Sequence, residues 1–154
     1  MSRALAQWPS ALSVWLSALV LAGCSVFLIS AYDPASIERI DAVSKSVLKF
    51  YQDLLAIPPA QRKPAMASTL ARQQGDIESL MRLHLLREQA RPKNEDSIKI
   101  ASGMLESWQA FSENHLKDDA SALSNATLDV ERGIMERHLR SAFTAEEAKK
   151  LGGN

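Results

Sequence analysis

Ile37-Glu38-Arg39-Ile40-Asp41-Ala42-Val43-Ser44-Lys45-Ser46-Val47-Leu48-Lys49-Phe50-Tyr51-Gln52-Asp53-Leu54-Leu55 is the stretch that decides the fold of this chain. Ile37, Ile40, Val43, Val47, Phe50, Tyr51, Leu54 and Leu55 recur at three- and four-residue steps, the spacing that lines one face of an α-helix. Charged residues fill the positions between them, so the opposite face is solvated. Asp33-Pro34 supplies a start: an aspartate oxygen accepts from the free amides of the first turn, and proline suits the first helical position. Ile57-Pro58-Pro59 supplies a stop, because proline disfavours a helical residue before it and has no amide to donate. These signals predict a helix over 34–56, followed by a polar loop that closes with Gln61 to Lys63.

The same period runs on through the chain. A second helix is expected over 64–89, with Met66, Leu70, Ile77, Leu80, Met81 and Leu85 inward and Arg91-Pro92-Lys93-Asn94 ending it. A third begins near Asp96 or Ser97 and reaches His115, with Ile98, Ala101, Leu105, Trp108 and Phe111 inward. Lys117 to Ser121 read as a polar turn. A fourth covers 122–142, with Leu123, Val130, Ile134 and Leu139 as core candidates. Thr144-Ala145-Glu146-Glu147 resembles a capping box, so a short final helix or an extension of the fourth is expected to reach Leu151, and Gly152-Gly153 closes the ordered part. No alternating run or Asn-Gly or Asp-Gly hairpin turn suggests a strand. Long amphipathic helices joined by short loops predict an all-α, up-down antiparallel bundle of about four helices, one domain over 34–151 with a tail at 152–154.

Several residues have plain readings within that scheme. Arg72/Asp76, Glu78/Arg82, Arg132/Glu136 and Glu136/Arg140 are i, i+4 pairs on outer faces. Asp118-Asp119 and Glu146-Glu147 are adjacent, point apart on a helix and read as surface charge. Gly75, Gly103 and Gly133 each cost about 1 kcal/mol against Ala in a helix interior, and are expected to mark close helix contacts or kinks. His115 reads as a terminal residue favoured by the helix dipole.

The N-terminal segment speaks to location. Arg3 is followed by no charge until Asp33. A basic start, an apolar run from Ala11 and small residues ahead of the only cysteine read as a secretory signal. Leu21-Ala22-Gly23-Cys24 resembles the lipobox of bacterial lipoproteins. The resemblance implies cleavage after residue 23, lipidation (diacylation) of the Cys24 sulfur, and a tether over 24–33. Acyl chains anchor by about 0.8 kcal/mol per buried methylene, and two or more hold a protein stably on a bilayer. Ser25, where an inner-membrane lipoprotein carries Asp, implies sorting to the outer membrane, facing the periplasm. Apolar character continues through Val26, Phe27, Leu28 and Ile29, so an uncleaved inner-membrane anchor over 11–32 stays open beside it; about 20 apolar residues suffice for a span. Trp8 and Trp15 belong to this segment in either case, and both place residues 33 to 154 outside the cytoplasm. More loosely, Tyr32-Asp33-Pro34 and Glu146-Glu147-Ala148-Lys149-Lys150 are similar to features of small helical proteobacterial lipoproteins. That likeness implies architecture and compartment but no activity.

From Cys24 onward the chain holds seventeen of the eighteen basic residues and all eighteen acidic ones. Such a balance argues against nucleic acid as a partner. Gly-x-Ser-x-Gly, His-Glu-x-x-His, phosphate-loop and Cys-x-x-Cys motifs are absent from the sequence, and so are paired Glu-x-x-His motifs for a di-iron bundle. The expectation is a non-catalytic envelope protein with a membrane anchor and a protein partner, and with no cofactor or metal. One pattern competes. Met81-Arg82-Leu83-His84 and Met135-Glu136-Arg137-His138 each set a thioether and an imidazole at i, i+3, a pairing that suits copper(I) or haem iron. Met81, His84, Met135 and His138 are therefore the candidate ligands of a haem- or copper-binding bundle; the plainer reading is methionine as gap-filler.

Overall fold

The computed structural model describes residues 30–117 and 120–152. The lipobox with Cys24 and Ser25, Trp8 and Trp15, all but the last three residues of the 11–32 span, Asp118-Asp119 and Gly153 lie outside them. Helix α1 is Pro34–Ala56, α2 is Pro59–Ala65, a π-helical turn covers Met66–Leu70, α3 is Ala71–Gln89, α4 is Glu95–Leu116, a 3-10 turn covers Ala120–Leu123, and α5 is Asn125–Gly152. With α2, the π turn and α3 running on without a break, these make four rods, and no strand occurs among the described residues. Each rod packs on the next in sequence, and α5 closes the ring against α1. The start of α1 meets the end of α3 through Ser36 and Glu88, while its end meets the start of α2 through Arg62. The rods therefore alternate in direction, as in an up-down four-helix bundle.

The core is built from the predicted stripes. Ile40, Val43, Val47, Phe50, Tyr51 and Leu54 are buried on α1, and Trp108, Leu105 and Ala101 on α4. At its centre Phe50 meets Tyr51 edge-on at 5.5 Å and Trp108 at 5.2 Å, geometries that the ring quadrupoles favour. The Trp108 ring N–H donates to the Gln74 carbonyl at 3.2 Å.

Several boundaries and placements differ from expectation. The second rod begins at Pro59, not Pro64, because proline fits the first helical position as well as it ends the helix before it. The fourth helix starts at Asn125 behind a 3-10 turn, with Ser124 Oγ accepting from the Thr127 N–H at 3.2 Å. It then continues through Thr144 to Gly152, so of the two expected endings the extension is the one found. Val130 is 63 % exposed, and its neighbour Glu131 takes the inward position. None of the three glycines marks a tight helix crossing: a methyl group would meet nothing within 4 Å at Gly75, and atoms at 3.6 Å and 3.8 Å at Gly103 and Gly133.

Candidate functional site

The buried stripes do not stay apolar to their ends. On α5 the inward residues are Leu128, Glu131, Met135, Leu139, Ala142, Glu146 and Lys149. On α3 the stripe carries Gln74, His84 and Glu88. Helical periodicity thus carries charged groups into the bundle, where they must find each other or leave a buried charge unmatched.

They meet at the end where the chain enters. Glu88 and Glu146 are 1 % and 2 % exposed. Arg91 bridges them: its Nη1 donates to Glu88 Oε2 at 2.9 Å and Glu146 Oε2 at 3.1 Å, and its Nη2 to Glu146 Oε1 at 3.0 Å. Lys149 Nζ donates to Glu146 Oε2 at 2.6 Å and to Asn94 Oδ1 at 2.7 Å. Asn94 Nδ2 returns a bond to Glu88 Oε2 at 2.6 Å. Glu146 belongs to this cluster and not to the surface; only its neighbour Glu147 is exposed, since adjacent residues on a helix point about 100° apart.

Residues 30–36 are tied into the same cluster. The Ser30 N–H donates to the Lys93 carbonyl at 2.9 Å, and Lys93 itself adopts a left-handed φ of 54° at the turn between α3 and α4. Arg91 Nη2 donates to the Ala31 carbonyl. The Asp33 N–H donates to Glu146 Oε1 at 2.6 Å, and Asp33 Oδ2 accepts from Arg87 Nε at 2.7 Å. Asp33 also caps α1 by accepting from the Ala35 N–H at 3.2 Å. Ser36 Oγ lies 2.5 Å from Glu88 Oε1 and 3.0 Å from Asp33 Oδ2, so its one proton is shared between the two carboxylates, and it accepts from Arg91 Nη1 at 3.1 Å. Tyr32 presents its ring to Lys150 Nζ at 4.5 Å, a cation–π contact.

The protonation states reflect these partners. Arg87's hydrogen bond, with help from Ser36 and the Ala35 amide, holds the Asp33 carboxyl at about 2. Burial pushes Glu146 up, but Arg91, Lys149 and the Asp33 N–H together hold it below the usual carboxylate range. Burial pushes His84 down and outweighs the nearby Glu88 and Glu146 charges.

A second buried polar group lies farther along the bundle. His115 Nε2 lies 2.7 Å from Glu131 Oε2, and Gln74 Nε2 lies 3.2 Å from His115 Nδ1. His115 stacks on Phe50 at 6.1 Å. It sits in the last turn of α4, where the sequence placed it, and is buried there against a carboxylate partner. Burial, with Glu131 beside it, pushes the Tyr51 phenol above its ordinary value.

Of the four candidate metal or haem ligands, the two methionines share the core and the two histidines have polar neighbours. Met81 and Met135 are fully buried in the apolar core. His84 faces the charge cluster with Glu88 and Glu146. His138 lies 3.0 Å from Ser107 Oγ and against Gly103. Among the described residues no group of three or more His, Cys, Asp or Glu side chains is arranged to hold a metal ion, and no helix is long and apolar enough to cross a membrane. Nothing in the sequence pairs Asp33 with Arg87 or Arg91 with Glu146; the one signal was that Glu88, Glu146 and Lys149 extend apolar stripes in step.

The geometry defines an all-α, up-down four-helix bundle whose entry segment is locked by a buried ion cluster. Comparison with protein-family models, with curated proteins and with solved structures finds no match to the chain.

Proposed function

We propose that this chain is a non-catalytic, membrane-anchored protein of the bacterial cell envelope, held by lipid on Cys24 and presenting its bundle to a protein partner. The observation that carries the reading is the lock on residues 30–36. Six residue steps separate Cys24 from Ser30, a reach of at most about 22 Å at ~3.3–3.6 Å per residue. An anchor at Cys24 therefore holds the Arg91–Glu146 end near the bilayer. The opposite end, with Pro58 and the 3-10 turn, stands away from it by the length of α1, about 35 Å for 23 residues. A short, fixed stalk suits a module that offers one end to a partner. Sorting to the outer membrane, facing the periplasm, rests on the lipobox resemblance and Ser25. In the transmembrane alternative the span has to close before Ser30, because residues 30–33 are non-helical and bonded to the bundle. Residues 11–29 would then cross, at about 28 Å.

The test is metabolic labelling with palmitate in a bacterial host that processes lipoproteins. Wild type should take the label and Cys24→Ser should not, and the mature chain should begin at Cys24. Label in both, or a full-length chain with its original N-terminus, rejects the lipid anchor in favour of the membrane span.

A further inference from the structure

We propose that His84 makes the lock on residues 30–36 acid-sensitive: when the imidazole takes a proton, this segment leaves the end of the bundle while the aromatic core stays folded. His84 is 2 % exposed and its Nδ1 has no hydrogen-bond partner. The nearest carboxylate oxygen, Glu88 Oε1, is 3.7 Å away and already holds Ser36 Oγ at 2.5 Å. Beside the ring lies a cavity of about 10 Å³ lined by Ile40, His84, Glu88, Ser97, Ala142 and Glu146, the size that takes one water.

Side chains from every packed element surround that ring. Glu88 faces it from α3, Glu146 and Lys149 from α5, and Arg39 from α1; α4 contributes Ser97, which carries no charge. With neutral His84, the carboxylates Asp33, Glu88 and Glu146 are matched by Arg87, Arg91 and Lys149. A protonated imidazole adds one unmatched cation in a buried place. Its new N–H competes for Glu88 Oε1, the oxygen that holds Ser36. Arg91 then shares Glu88 with another cation, and its bonds to Ser36 Oγ and the Ala31 carbonyl are the ones that can be given up. Residues 30–33 have no helix of their own to retain them, whereas Phe50, Tyr51 and Trp108 pack on one another away from the cluster.

The depressed pKa of His84 sets the sign. Below its ordinary value of 6.5, the released form binds more protons than the locked form, so the lock is complete above pH 6.5 and weakens as pH falls. Asp33 and Glu146 stay ionised through that window, because both are held below their usual range.

Amide hydrogen exchange on the full chain in detergent micelles tests this, with rates corrected for the intrinsic effect of pH. Protection at the Ser30 and Asp33 amides should fall by up to about tenfold per pH unit below 6.5, while amides around Trp108 keep theirs. His84→Gln, which retains His115 and His138, should abolish the dependence. Protection that ignores pH in wild type, the same dependence in His84→Gln, or parallel loss around Trp108 overturns the proposal. Should His84→Gln not fold, NMR titration of the ring in wild type decides. A His84 midpoint below 6.5, with protection falling between 6.5 and that midpoint, supports the proposal, and a midpoint at or above 6.5, or protection that is constant over that interval, overturns it.

Discussion

Arg62 is 1 % exposed, and its guanidinium is satisfied by main-chain carbonyls. Nε donates to Leu54 and Ile57 at 3.1 and 2.9 Å, Nη2 to Leu55 at 3.4 Å, and Nη1 to Leu123 at 2.7 Å. Three of these carbonyls sit at the end of α1, where the last turn leaves acceptors without amides and the helix dipole is negative. One side chain thus closes α1, starts the second rod and fastens the 3-10 turn. Arg62→Met should cost about 1–3 kcal/mol, since it takes the donor from the buried Leu123 carbonyl and from Leu55 and Ile57, while the Leu54 carbonyl keeps the Ile57 N–H. Arg62→Lys should recover only part of that, because an ammonium lacks the planar fork. Urea unfolding of the three proteins measures both. Asp33 gives a pH signature at the same scale. Its carboxyl is held at about 2 against an ordinary 3.8, so the folded form binds the proton less well than the unfolded one. Its contribution is present above pH 3.8 and is lost as pH falls from 3.8 towards 2. Asp33→Asn should remove that step from the acid side of the stability curve, at a cost near neutrality of about 1 kcal/mol after solvent screening. An unchanged acid limb in the variant would show that Arg87 does not hold the group.

The π turn at Met66–Leu70 shows how an element adjusts to its sequence. On the second rod the buried positions are Arg62, Met66, Leu70, Gln74, Ile77, Met81, His84 and Glu88. The first three steps are all of four residues. In an α-helix four residues over-rotate by about 40°, so three such steps would swing the stripe about 120° out of the core. A π turn takes more residues per turn and absorbs the drift. Deleting Ser68, exposed within it, should let the turn revert to α-helix and leave a cooperative unfolding transition. Deleting Ser79, equally exposed but inside regular α-helix, rotates the part of the rod before it by about 100° relative to the part after it and should abolish cooperative unfolding. Thermal melts of the two deletions make the comparison. The same stripes explain which residues were legible in the sequence. Ile40, Val47, Phe50, Leu54, Leu105 and Trp108 were, because an apolar residue in step with the helical period has one place to go. Glu131 and Glu146 were not, because a carboxylate in step with the period looks identical to one on the surface until His115 or Arg91 is brought opposite by another helix. Val130 was read inward only because it is apolar, and the period put Glu131 there instead.

Across the whole molecule, aromatic packing in the middle holds the four rods together, and polar locks at the two ends set how the chain enters and turns. A buried ion cluster contributes little net stability over an apolar one of the same shape, but losing a single partner is costly. This makes residues 30–36 part of the domain although most of them lie outside any helix core. A chain that starts at residue 30 should match the full chain in urea unfolding, since every described partner of Glu88, Glu146 and Arg91 is retained. A chain that starts at residue 37 loses the Asp33 cap, the Asp33 N–H, the Ala31 carbonyl and Ser36 Oγ together. Arg91 and the two buried carboxylates are then left without the groups that complete them, and α1 begins uncapped. The expected loss is about 3–5 kcal/mol, with helicity retained because the aromatic centre is untouched. Equal stability of the two truncations would mean that the entry segment merely rests on the bundle, and a stalk fixed at residue 30 would then have no mechanical basis.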